Sequence, residues 1–125
     1  MYRFLLKLEY DGTCFHGWQI QDNIETVQGV LLEAIKNLEP SCQEVVGAGR
    51  TDAGVHATGQ SANFLLDKKI ENKKIFLNSI NFFLKKYSIS IIDIKKKKLN
   101  FHSRYDAKER MYNYRIINRY GALAL

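Results

Sequence analysis

The sequence predicts an α+β domain: a ferredoxin-like, split β-α-β-β-α-β order forming one antiparallel sheet with both helices on one face. Three observations carry this. Two segments repeat their apolar residues at helical spacing, and short β-branched or aromatic segments surround them in strand-like patterns. The chain has 125 residues, 46% of them apolar and 26% charged, which is close to globular averages and enough for one core. No apolar run approaches the roughly 20 residues that a transmembrane helix needs.

Residues 2–10 (YRFLLKLEY) are β-rich and end at Asp11-Gly12, a strong turn signal. Residues 11–25 read as a loop. Val27, Val30, Leu31, Ala34, Ile35 and Leu38 then fall on one helical face, with Thr26 as N-cap and Pro40 marking the end. Residues 44–48 read as a short strand, 49–57 as a loop and 58–66 as a second strand. A second helix fits about 72–86, with Ile75, Phe76, Ile80, Phe83 and Leu84 as its apolar face. Residues 88–94 are a strand by β-branched content, followed by the charge run Lys95 to Lys98. Residues 110–117 read as one further strand.

Charge is unevenly placed. Residues 1–66 carry a net charge of −4 and residues 67–125 a net charge of +10, within a total of +6. A basic second half suits a polyanion, and nucleic acid is the commonest one; a lysine-rich solvated surface is the plainer account. The N-terminal apolar run is broken by Lys7 and Glu9, too soon for a signal-peptide core. Cys14 and Cys42 make no disulfide framework, so a reducing cytoplasm is the expected compartment.

Several motifs fail on inspection. Gly47-Ala48-Gly49 lacks the third glycine of a dinucleotide fingerprint, and no P-loop lysine follows it. Cys14, His16, His56 and His102 match no common zinc spacing, so no metal is expected. The informative segment is Gly49-Arg50-Thr51-Asp52-Ala53-Gly54-Val55-His56-Ala57. It sets a carboxylate beside a guanidinium, between glycines, after a strand. A nearby cation keeps such a carboxylate ionised, and an ionised, partly desolvated Asp can serve as nucleophile or base. The plainer account is that Arg50 and Asp52 form a structural pair holding a turn.

Two further clusters stand out. Residues 9–21 gather aromatics, amides and glycines on one loop. Trp18 and Phe15 there suit either base stacking or plugging the end of the core. Residues 101–114 interleave Arg and Lys with Tyr, which suits phosphate and base contacts. In that segment Tyr112 and Tyr114 share one strand face.

On these residues the chain resembles the N-terminal half of the tRNA pseudouridine synthase A (TruA) family. Glu9-Tyr10-Asp11-Gly12-Thr13 with Gly17-Trp18-Gln19 and Gln21 resembles the family's opening motif. Thr26-Val27-Gln28 and Gly49 through Gln60 follow in family order. Phe101-His102-Ser103-Arg104, Arg110, Tyr112 and Tyr114 resemble its later motif. The resemblance implies isomerisation of uridine to pseudouridine in the tRNA anticodon arm, without cofactor. It implies that Asp52 is the essential carboxylate, whether it attacks C1′, adds to C6 or takes a C2′ proton. It further implies that Tyr112 stacks on the uracil and that Arg50 pairs with Asp52 and helps hold the extruded nucleotide.

The same resemblance implies an organisation. Residues 1–100 correspond to the N-terminal α/β domain bearing the motif. Residues 101–125 correspond to the start of a second catalytic domain, in a family whose members are about twice as long and act as homodimers. A truncated, inactive RNA-binding domain of the same fold is the alternative. One departure is local: the family has Leu-Pro after the second helix, where this chain has Leu84-Lys85.

Overall fold

The computed structural model describes residues 1–13, 15–20, 25–49 and 53–101. Within them the elements run β1 (Tyr2–Tyr10), α1 (Val27–Leu38), β2 (Val45–Gly47), β3 (Ala57–Leu66), α2 (Lys73–Leu84), a 3-10 turn (Lys85–Tyr87) and β4 (Ile89–Lys97). The strands form one antiparallel sheet in the order β2-β3-β1-β4. This is the expected ferredoxin-like α+β arrangement, with the first strand central and β4 at an edge among the described residues. The further strand expected at 110–117 lies outside the described residues.

Alternation builds the core. Phe4, Leu6, Leu8 and Tyr10 of β1 are buried, while Lys7 and Glu9 between them are exposed. Ala62, Phe64 and Leu66 of β3 and Ile89, Ile91 and Ile94 of β4 join them. Phe4 and Phe64 sit opposite each other in the ladder, with ring centroids 5.7 Å apart. Onto this face α1 lays Val27, Val30, Leu31, Ala34 and Ile35, and α2 lays Phe76, Ile80 and Leu84. Burying such side chains contributes roughly 1.5–3 kcal/mol each.

Local chemistry sets the helix ends. The Thr26 side chain accepts from the Gly29 N–H, as expected for an N-cap. Asn72 caps α2 by accepting from the Ile75 N–H at 3.0 Å. The Leu84-Lys85 departure is met by a 3-10 turn, closed by a hydrogen bond from the Ser88 N–H to the Lys85 carbonyl (3.2 Å) with Ser88 at φ 57°.

Two expectations change. Ile75 is 62% exposed: the buried stripe of α2 runs Phe76, Ile80, Leu84, and Ile75 lies about 100° back from it. The lysine run does not simply follow the last strand. β4 continues to Lys97, with Lys95, Lys96 and Lys97 paired opposite Leu5, Phe4 and Arg3. Ladder hydrogen bonds do not depend on side-chain polarity, and an edge strand can send lysines into water, where they also discourage pairing with another chain.

The β4 edge carries a second device. A register shift leaves Ile92 unmatched between Asp93, opposite Lys7, and Ile91, opposite Leu8. Beside it, Asn81 of α2 accepts from the Ile91 N–H (2.7 Å) and donates to the Ile91 carbonyl (3.0 Å). A side-chain amide thus meets both polar backbone groups of Ile91.

Candidate active site

The site shows itself through its shoulders, because Arg50, Asp52 and Tyr112 lie outside the described residues, as do Cys14 and His102. On the near side, β2 delivers the chain to Ala48 and Gly49. The Ala48 N–H donates to the Ser61 carbonyl (2.8 Å), and Gln60 Nε2 donates to the Gly49 carbonyl (2.6 Å). On the far side the chain returns through Ala53–His56 into β3. The Gly54 N–H donates to the Phe15 carbonyl (3.1 Å). Both flanks of the Arg50–Asp52 segment are therefore tied to neighbouring segments.

The loop after β1 supplies the platform. Gly12 approaches Val55 so closely that a Cβ there would lie 1.9 Å from the Val55 carbonyl oxygen. Only glycine permits that approach. The Gly12 N–H donates to His56 Nδ1 at 2.8 Å, across 44 positions of sequence. Asp11 Oδ1 sits 3.0 Å from the same Nδ1. It also accepts from the Thr13 hydroxyl (2.5 Å) and the Thr13 N–H (2.9 Å). These hydrogen bonds, the hydroxyl first, hold the Asp11 carboxyl below its ordinary 3.8, and a protonated His56 would add a smaller pull in the same direction.

The rest of the loop is anchored beneath. Trp18 and Phe15 are buried in the core, which settles their two readings in favour of packing. Trp18 packs closely against the chain at Gly47, where a Cβ would come within 2.7 Å of the indole. Gln28 joins three segments: its Nε2 donates to the Val45 carbonyl (2.6 Å), its Oε1 accepts from the Ile20 N–H (3.0 Å), and its backbone N–H donates to the Trp18 carbonyl (3.0 Å). The Thr26-Val27-Gln28 run thus caps α1 and binds the loop to β2. The second of these roles is invisible in sequence, because Val45 is distant along the chain.

A cleft of about 850 Å³ opens beside this junction, lined among others by Asp11, Ala57, Thr58, Asn81, Phe82 and Lys85. Phe82 is 85% exposed at its rim. The sequence alone singles out neither Thr58 nor Asn81. Burial pushes the Cys42 thiol up to about 11, so it is no nucleophile at neutral pH. Among the described residues no three His, Cys, Asp or Glu side chains gather as a metal site would require. No helix among them is long and apolar enough to cross a membrane.

A basic corner lies at the other end of the sheet. Lys96 and Lys69 place Nζ 5.1 and 5.8 Å from the Tyr2 ring centroid. Arg3 Nε donates to the Leu99 carbonyl (2.9 Å), and its Nη1 donates to Asn63 Oδ1. Lys97 lies 5.5 Å from the Phe101 ring centroid.

The chain is similar in sequence to known proteins. A family profile described as tRNA pseudouridine synthase matches residues 8–106. A tRNA pseudouridine synthase A of Pelagibacter ubique is 44% identical over 119 residues, covering 95% of this chain and 48% of its own length. One from Ehrlichia ruminantium is 43% identical over 124 residues, covering 98% and 50%. One from Caldicellulosiruptor saccharolyticus is 48% identical over 118 residues, covering 94% and 48%. The chain spans about half the length of the curated relatives it matches.

Proposed function

Because the chain belongs to the tRNA pseudouridine synthase family, we propose that it carries the aspartate-bearing part of an enzyme that isomerises uridine to pseudouridine in the anticodon arm of tRNA. The observation that carries this is the Gly49–Ala57 segment, inside the matched region and anchored on both flanks to the β1 loop and β3. Asp52 is the reacting carboxylate and acts as nucleophile on the uridine. Arg50 pairs with it, keeps it ionised and helps hold the nucleotide. Tyr112 stacks on the uracil. The N1–C1′ bond breaks, the base rotates, and a C5–C1′ bond forms. The C5 hydrogen leaves as a proton, and N1 ends protonated. No step in this scheme calls for a cofactor or a metal.

Residues 1–100 form the first domain in this reading, and residues 101–125 begin the second. The working enzyme is a cytoplasmic homodimer. Extruding a base from a helix costs a few kcal/mol, which stacking and the basic surface are there to offset.

The test is tritium release from tRNA labelled at uridine C5, with enzyme in excess, beside a filter-binding measurement. Release that depends on Asp52 supports the proposal. Binding without release makes the chain an RNA-binding domain, and neither result leaves Asp52 as a turn former.

A further inference from the structure

His56 lies in the motif segment, and its two polar neighbours make incompatible demands on one nitrogen. The Gly12 backbone N–H donates to Nδ1 at 2.8 Å, so Nδ1 must present a lone pair. Asp11 Oδ1 lies 3.0 Å from that same nitrogen and can only accept when ionised. A neutral ring carrying its proton on Nε2 satisfies Gly12 and faces the carboxylate lone pair to lone pair. A protonated ring reverses this: Nδ1–H would donate to Asp11, and the Gly12 N–H would lose its acceptor. The ring is partly enclosed, with 22% of its side chain exposed.

We infer that His56 is the positioning residue of the motif loop, and that protonating it moves its tie from the Gly12 N–H to the Asp11 carboxylate and so changes how the loop is held. Neutral His56 ties residue 56 to residue 12, alongside the Gly54–Phe15 hydrogen bond and the close packing of Gly12 on Val55. Of these three ties it alone runs through a side chain.

Among the described residues of the loop after β1, the ionisable group facing the ring is Asp11. On β1, the titratable side chain beside it in register is Tyr10, opposite Ala57. No other ion pair to His56 occurs among the described residues, and Arg50 and Asp52 lie outside them. The catalytic consequence rests on the function proposed above, since His56 stands four positions after Asp52 in the chain. The contact itself does not.

Two arms test this on the full chain. In the first, nuclear magnetic resonance of protein with ¹⁵N-labelled histidine and glycine reads the His56 tautomer and the Gly12 amide against pH. The expected result is the Nε2–H tautomer when neutral, with a Gly12 amide that titrates with the His56 midpoint. An Nδ1–H tautomer, or a Gly12 amide indifferent to that midpoint, overturns the inference.

In the second arm, turnover is compared across pH. H56A should lower kcat roughly 100-fold with little change in KM, the scale expected of a small misplacement. H56N, whose Oδ1 can accept from Gly12 without titrating, should restore most of that loss and remove the acid limb attributable to His56. An H56N profile with the wild-type acid limb, or an H56A kcat equal to wild type, overturns the inference. If H56A fails to fold, H56N and the wild-type resonance titration still decide. If this chain does not turn over by itself, the isomerase reading is decided by the same assay on an enzyme carrying both proposed domains, and the resonance arm decides for or against the His56 contact.

Discussion

At Gly12 one hydrogen atom in place of a methyl group lets two loops meet. Gly12→Ala would press a Cβ into the Val55 carbonyl, backbone that cannot rotate aside. Urea unfolding should show a destabilisation of at least about 1–3 kcal/mol, the usual range for overpacking; an unchanged midpoint would mean the loops part without cost. Under the proposed function, substituting Asp52 tests chemistry. Asp52→Asn should abolish tritium release while tRNA binding stays nearly intact. Activity within about tenfold of wild type, roughly 1.4 kcal/mol of barrier, would remove it from the nucleophile role. Both residues are legible in the sequence as members of glycine-bearing motifs. The His56–Gly12 bond is not, since nothing at residue 56 points to a partner 44 positions earlier.

At the scale of the element, α1 is legible because its causes are local: an apolar face at helical spacing, a Thr26 cap and a following proline. α2 and β4 depend on each other and are less so. Asn81 reads in sequence as a polar interruption, yet it pairs with both polar backbone groups of Ile91. Asn81→Leu should therefore destabilise the fold by about 1–3 kcal/mol, since part-buried donors and acceptors lose their partners. Unfolding thermodynamics would check this, and a neutral result would mean that water replaces the amide. Lys73 at the start of α2 meets Asp93 of β4 at 2.6 Å. That hydrogen bond, with help from the Ile94 backbone, holds the Asp93 carboxyl below its ordinary 3.8. A group whose folded pKa is depressed adds stability above its unfolded pKa and loses it as pH falls through the folded one. The stability gap between wild type and Asp93→Asn should then shrink as pH is lowered below that ordinary value. A gap that is constant into acid would show that the pair contributes nothing through charge.

Across the whole molecule, charge and topology divide the labour. The acidic first part builds most of the sheet and the loop junction, and the lysines of β4 sit at the opposite end of the sheet from that junction. Neutralising Lys95 to Lys98 should flatten the dependence of tRNA affinity on salt, by just under one unit of slope for each phosphate that the lysines had neutralised. Tyr112→Ala should instead lower turnover with little change in slope, because stacking releases few counterions. An unchanged slope in the lysine variant would make that run an edge-protecting feature only. The strand order follows from the sequence of elements, since few topologies close such an order. The Ile92 register shift does not, because a one-residue slip leaves no local mark. Trp18, finally, makes the molecule its own optical reporter. It is the single tryptophan of the chain, 1% exposed, with its indole against Gly47 and the Tyr10 ring centroid 6.5 Å away. Its emission should be blue-shifted and shielded from dissolved quenchers while the loop junction holds. A red shift that precedes the disappearance of helical circular dichroism would reveal the junction opening before the sheet does.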